Sequence, residues 1–267
     1  MSELGITLRI QGDLSTPAIL RACARAADSA GLRELWVNDH VAIPPDDAEH
    51  SKGRYLDPLC SLAWIAAATE RIGLGTAIIN LPYRRPLLLA KAVATVQELS
   101  GGRLRLGVGV GWMEAEFRAL GIDRSRRGQD ADHALDVLAR CFAADEVELN
   151  GQTFLFRPRP QRPEILVGGT SAAARARAVR AGDAWLPIGR EPEELAAEIE
   201  HLRALATEAG RQPPAVVLLT RLPIEDPAAA RERVAAFTDI GVARIGHLAR
   251  YESTDDYRRE VEAVAAL

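Results

Sequence analysis

Cysteine is scarce in this chain. The three present, Cys23, Cys60 and Cys141, are odd in number, far apart and in no C-x-x-C pair. Neither a disulfide framework nor a zinc site is indicated, and a reducing compartment is expected. Lysine is scarcer still, standing only at 52 and 91, and no basic run or tail occurs. The formal net charge of −4 over 267 residues is mild, which argues against nucleic acid or a membrane surface as the main partner. No apolar run approaches the ~18 residues of a membrane span. From Met1 the chain enters a strand-like Leu4-Gly5-Ile6-Thr7-Leu8-Arg9-Ile10 without a basic lead, apolar core and cleavage site, which reads as a soluble, cytoplasmic protein. Also missing are the G-x-S-x-G elbow of a Ser-His-Asp hydrolase, any His/Asp/Glu cluster at metal-ligand spacing, internal repeats and low-complexity segments.

What is present is an alternation of strands and helices. A hydrophobic content of 48% lets the chain bury one sizeable core, and ~250 residues is the usual size of a (β/α)8 barrel. Strands are read near residues 4–10, 33–38, 72–79, 103–109, 164–168, 184–186, 215–220 and 242–247. The segment from Ile72 to Ile79 has almost no polar alternation, as expected of a strand covered on both faces. Ser15-Thr16-Pro17, Asp57-Pro58, Pro86, Pro192 and Asp226-Pro227 open helices, and Gly31, Gly182 and Gly241 close three of them just before a strand. Eight such strands predict an α/β protein with one domain spanning residues 1–267, a (β/α)8 TIM barrel. A doubly wound sheet would need a strand-order reversal, and the count of eight favours the barrel. Val147 to Phe156 reads as a β-hairpin turning at Asn150-Gly151, inserted between the fourth helix and the fifth strand on the N-terminal face.

The most distinctive stretch runs from Gly101 to Trp112. Glycines at 107, 109 and 111 alternate through a strand end, and such glycines imply that something flat or bulky approaches the backbone. A dinucleotide fingerprint fails there, because Trp112 stands where its third glycine belongs. In a barrel the working groups lie at the carboxyl ends of strands. That rule selects Asn38-Asp39-His40, Asn80, Gly109 to Trp112, Gly168 to Ser171, Trp185 to Pro187 and His247. His40 is the sharpest candidate, an acid or base near neutral pH that Asp39 can orient. The competing reading is that the two only tie down a loop. Gly168-Gly169-Thr170-Ser171 opens a helix whose free N–H groups, hydroxyls and dipole suit a phosphate, against the reading of an ordinary capped loop. His50, His133 and His201 are read as surface or packing residues, and His247 as a loop residue without a carboxylate close in sequence. Trp36, Trp64 and Trp185 are assigned to the core, while Trp112 is placed to wall a site.

Several segments together resemble one family. They are Asn38-Asp39-His40, Asp57-Pro58-Leu59, Ala66 to Thr76, Leu81 to Pro86, Leu99 to Leu104, Leu106 to Trp112, Val167 to Thr170 and Gly182 to Pro187. In that order they look like the bacterial luciferase-like monooxygenase superfamily, and more closely its branch of oxidoreductases that use the deazaflavin coenzyme F420. The resemblance implies a barrel holding the cofactor at its carboxyl end, with His40 near the reacting ring as catalytic residue and Asp39 beside it. A backbone bulge at Ala77, Ile78 and Asn80, with a non-prolyl cis peptide near Ala77–Ile78, would support the ring. Gly109, Val110, Gly111 and Trp112 would give it room, and Gly168, Gly169, Thr170 and Ser171 would hold the phosphate of its tail. Arg84, Arg85, Arg126 and Arg127 are either contacts for a polyglutamate tail or solvated surface charge. Trp112 departs from the branch's sugar-phosphate dehydrogenases, which place a glutamate there, so their substrate is not carried over. The resemblance further implies a homodimer acting on a small organic substrate, with no metal. An FMN-dependent monooxygenase is the alternative cofactor reading, and a non-catalytic flavin or deazaflavin carrier is the alternative of another class.

Overall fold

The structure, a computed structural model, describes residues 3–48 and 51–267, so His50 lies outside the described residues. In chain order its strands are β1 (Glu3–Thr7), β2 (Glu34–Val37), β3 (Gly73–Thr76), β4 (Ile79–Asn80), β5 (Leu104–Gly109), β6 (Glu146–Leu149), β7 (Gln152–Leu155), β8 (Glu164–Gly168), β9 (Ala184–Leu186), β10 (Ala215–Thr220) and β11 (Arg244–His247). The helices are α1 (Pro17–Ser29), α2 (Pro58–Ala66), α3 (Pro86–Leu99), α4 (Glu114–Leu120), α5 (Arg127–Ala143), α6 (Ala172–Ala181), α7 (Pro192–Glu208), α8 (Pro227–Asp239) and α9 (Thr254–Ala265). Parallel pairings run β1-β2-β3-β5-β8-β9-β10-β11, and β11 returns to β1 with Leu4 opposite Ile245. Eight parallel strands therefore close into a barrel with helices around it, as the alternation predicts.

Local chemistry explains most boundaries. Thr16, Asp57 and Asp226 each accept a backbone N–H of the first helical turn, and each is followed by proline. Asn150 and Gly151 both have positive φ, 53° and 76°, which makes the two-residue turn between β6 and β7. That hairpin joins the end of α5 to the start of β8, on the N-terminal side of the barrel.

Two apolar layers hold the sheet. Trp36, Leu166, Leu186, Val217 and Leu219 fill the barrel interior, and a larger set packs between strands and helices. The N-terminal end of the interior is closed by charge rather than by apolar atoms. Arg244 reaches both Glu34 and Glu164, and Arg105 lies 3.6 Å and 3.4 Å from the same two carboxylates. Burial pushes the Glu34 carboxyl up, and Arg244 works against that rise. Such buried pairs satisfy each other's desolvated groups and leave the opposite, carboxyl end free for chemistry.

The third predicted strand, 72–79, is in fact broken. β3 stops at Thr76, the Ala77–Ile78 peptide is cis, and β4 resumes at Ile79 opposite Val108 of β5. The alternating glycines explain how the break fits. A Cβ at residue 107 would stand 1.9 Å from the Thr76 carbonyl oxygen. One at 109 would stand 2.0 Å from Ile78 Cδ1, and one at 168 would stand 2.7 Å from Ile78 Cγ2. The bulky neighbour that these glycines admit is thus the chain's own bulge. Gly107→Ala should destabilise the protein by about 1–3 kcal/mol or more, because a backbone carbonyl cannot yield as a side chain does. Gly128→Ala in α5, whose nearest neighbour is a guanidinium nitrogen at 3.6 Å, should change stability by less than about 1 kcal/mol. Urea denaturation of both variants measures the difference.

Candidate active site

Asp39 and His40 follow β2 at the carboxyl end of the barrel, and they do not serve one another. Asp39 is buried, and its carboxylate accepts two bonds from Arg84, at 2.6 Å and 2.9 Å, and the Asn80 N–H at 2.8 Å. The Asn80 side chain donates to the Asp39 carbonyl at 3.0 Å. Arg84 also reaches Asp57 at 3.0 Å, so this arginine is committed to the fold. Burial disfavours the charged forms of Asp57 and Arg84, but the Cys60 N–H and Arg84 hold Asp57 ionised, and Asp39 with Asp57 does the same for Arg84. Asp39 therefore ties the end of β2 to β4 and to the turn before α3. That is the loop-anchoring alternative for Asp39.

The acid that meets His40 is Glu116 on α4. Its Oε2 lies 3.3 Å from His40 Nδ1 and accepts the Tyr83 hydroxyl at 3.0 Å. Its Oε1 accepts the N–H groups of Val41 and Ala42 at 2.6 Å and 3.2 Å. Glu116 is 1% exposed. Burial alone would push its carboxyl up, yet the His40 bond and the two backbone N–H groups hold it down at about 2. The same carboxylate, together with burial, pushes the Tyr83 hydroxyl well above its ordinary range. An ionised Glu116 can only accept, so His40 Nδ1 carries a proton and Nε2 is the nitrogen left for exchange. The imidazole packs edge-on against Tyr55 at 5.1 Å and Trp112 at 6.2 Å, and Trp112 is 67% exposed. Seventy-six residues separate His40 from Glu116, a distance at which no local spacing rule pairs two residues.

The remaining selected residues form two further groups. Ile78 touches the positions of Gly109 and Gly168 and so joins the end of β5 to the end of β8. Beyond Gly168, the Ser171 hydroxyl caps α6 by accepting the Ala174 N–H, and Trp185 Nε1 donates to the Gly169 carbonyl at 2.7 Å. The other N–H groups of that first turn have no acceptor within the helix. His247 is no loop residue: it ends β11, fully buried, accepts the Leu222 N–H at Nδ1 and meets Glu260 at 3.2 Å through Nε2. His133 and His201 are exposed on helices, while Trp36 and Trp185 are fully buried. Among the described residues no group of three or more His, Cys, Asp or Glu side chains could hold a metal ion, and no helix is long and apolar enough to cross a membrane.

A cavity of about 710 Å³ opens at the same end of the barrel, a volume suited to a small ligand. Ala77 and Asn38 line it together with Trp36, Leu219 and Leu248, but His40, Gly109 to Trp112 and Gly168 to Ser171 do not. Two buried polar atoms in its lining residues, Trp36 Nε1 and Gln11 Oε1, have no hydrogen-bond partner among the described residues. Buried groups of that kind are normally paired.

A closed (β/α)8 barrel with its polar machinery at the strand carboxyl ends has the layout of a TIM-barrel enzyme. The family model described as luciferase-like monooxygenase matches residues 5–266, and the chain belongs to that family. An uncharacterized protein of Mycobacterium tuberculosis strain H37Rv is 30% identical over 272 residues, covering 94% of this chain and 93% of its own. An F420-dependent secondary alcohol dehydrogenase in complex with an F420–acetone adduct superposes with a TM-score of 0.80 at 15% identity, over 99% of this chain and 98% of that one. The FMN-bound oxygenating constituent of 3,6-diketocamphane monooxygenase from Pseudomonas putida superposes with a TM-score of 0.79 at 14% identity, over 99% and 96%. The chain is thus a member of a superfamily of oxidoreductases and monooxygenases whose neighbours in structure bind F420 or FMN.

The charge on Glu116 has a consequence for stability. Its folded value of about 2 lies below the ordinary 4.5, so the ionised group stabilises the fold above pH 4.5 and that contribution is lost as pH falls toward 2. A shift of this size corresponds to about 3 kcal/mol. Glu116→Gln should lower stability by about 2–3 kcal/mol at pH 7, and denaturation at successively lower pH should show the gap to wild type closing below pH 4.5.

Proposed function

We propose that this protein is an oxidoreductase that holds a deazaflavin, coenzyme F420, at the carboxyl end of its barrel and exchanges hydride between it and a small organic substrate. The observation that carries this reading is the bulge. Ile78 is packed into bare glycine backbone on one side, while Ala77 beside it borders an open cavity on the other. A flat ring placed against such a wall is supported from behind and leaves volume for a substrate, which favours an enzyme over a non-catalytic carrier. The orphaned Trp36 Nε1 and Gln11 Oε1 also fit a polar ligand in this region.

In this reading the first turn of α6, with Gly168, Gly169, Thr170 and Ser171, receives the tail phosphate through its N–H groups and dipole. Ala77, Ile78 and Asn80 form the back wall, and Gly109, Val110, Gly111 and Trp112 the side. Asp39 keeps that wall in place through Asn80 and Arg84. When bound, a deazaflavin would carry hydride at a ring carbon, giving it to or taking it from the substrate, and would react poorly with oxygen. His40 would give a proton from Nε2 when the substrate gains hydride and take one when the substrate loses it, with its ring fixed by Glu116 at Nδ1. Reduced FMN in a monooxygenase is the second reading, supported by the FMN-bound neighbour.

Titration with F420 and with FMN, followed by fluorescence or absorbance, separates the two cofactors. Tight F420 binding is expected; tight FMN binding without F420 binding would replace the deazaflavin reading with the flavin one. His40→Ala should leave cofactor affinity within a few fold and lower turnover by about 10²–10⁴. Wild-type turnover in that variant would end the catalytic assignment of His40.

A further inference from the structure

Arg9, just past β1, is a half-buried charged residue of the cavity wall whose guanidinium the fold leaves largely unpaired. Its side chain is 24% exposed, and its guanidinium makes one hydrogen bond among the described residues, from Nη1 to the Tyr251 carbonyl at 3.0 Å. The Tyr251 ring lies 5.7 Å away. The carboxylate nearest to it, on Glu252, is 3.9 Å away and 91% exposed, too far for a hydrogen bond and largely solvated. Comparably buried guanidinium groups elsewhere are treated differently. Arg84 is held by Asp39 and Asp57, and Arg244 by Glu34 and Glu164. Arg9 has no such partner, and the planar fork of a guanidinium matches an oxyanion. Arg250 lines the same cavity and forms no ion pair among the described residues, so Arg9 and Arg250 outweigh the lone Glu252 at the rim. The floor is apolar, built from Trp36, Leu219, Leu248 and Ala77.

We infer that this cavity is the substrate compartment and that the substrate is an organic anion, its oxyanion held by Arg9 and its apolar body lying over Trp36, Leu219 and Leu248. The inference rests on the proposed oxidoreductase reading for the word substrate, but not for the binding itself. An oxyanion at Arg9 has two conceivable sources, a substrate carboxylate and the cofactor's phosphate. The geometry favours the first, because Gly168 to Ser171 lie outside this cavity and already offer a phosphate a helix N-terminus.

Calorimetric titration with hexanoate and with 1-hexanol, on the cofactor-free protein, tests it without any turnover. Hexanoate should bind about tenfold or more tightly than the alcohol, the scale of a charge-assisted hydrogen-bonded pair. Arg9→Gln should abolish that preference while leaving the hexanol and F420 affinities within a few fold, and Arg9→Lys should restore part of it. Near-UV circular dichroism confirms that each variant is folded. Failure of hexanoate to bind, equal binding of acid and alcohol, or a preference that survives in Arg9→Gln would overturn the inference. Loss of F420 or FMN affinity in Arg9→Gln would also overturn it, by assigning the anion to the cofactor. If neither cofactor binds wild type while the Arg9-dependent preference holds, the oxidoreductase reading fails and the anion site stands.

Discussion

The packing of Ile78 into the bare backbone of β5 and β8 is the constraint on which the rest of the carboxyl end depends. Close-packed interiors do not admit an extra side chain unless other atoms are missing, and here the missing atoms are the Cβ groups of residues 109 and 168, with that of 107 absent to clear the Thr76 carbonyl. Because Ile78 is seated there, the third strand breaks, Ala77 meets the cavity and Asn80 arrives where its N–H can bind Asp39. One apolar side chain thereby sets the position of a backbone wall and of the charged network behind it.

Two buried carboxylates then divide the work around β2. Neighbouring side chains in an extended chain point to opposite sides, so Asp39 and His40 face different surroundings although they are adjacent. Asp39 is consumed by Arg84 and Asn80, which fixes the loop. His40 is left to Glu116, a carboxylate with four donors and almost no exposure. A carboxylate satisfied in this way is a rigid acceptor, and a rigid acceptor selects which imidazole nitrogen carries the fixed proton.

Much of this was legible in the residues, and what was not has a common cause. Strand and helix alternation, proline and Asp/Thr caps, and the Asn150-Gly151 turn are local signals, and β9 and β10 fall where their apolar runs predict. The glycines at 107 and 109 correctly signalled a close approach, but composition could not say that the approaching group is the chain itself. Glu116 reads as an ordinary helix residue until the fold brings it to His40. His247 has a carboxylate partner after all, Glu260, thirteen residues on and across the turn into α9. Arg9 reads as a strand residue because Leu4 to Ile10 are continuous in pattern. β1 nevertheless ends at Thr7, which frees Arg9 for the cavity wall. In each case the missing information is a long-range contact, which one-dimensional periodicity does not carry.

A crystal structure of the protein soaked with F420 tests the central claim most directly. The account predicts the tricyclic ring against the Ala77 side of the bulge, His40 Nε2 on the cofactor side of its imidazole with Nδ1 still on Glu116, and the phosphate at the first turn of α6. A ring that instead fills the space between Arg9 and Trp36, with its phosphate away from Gly169 to Ser171, would contradict it.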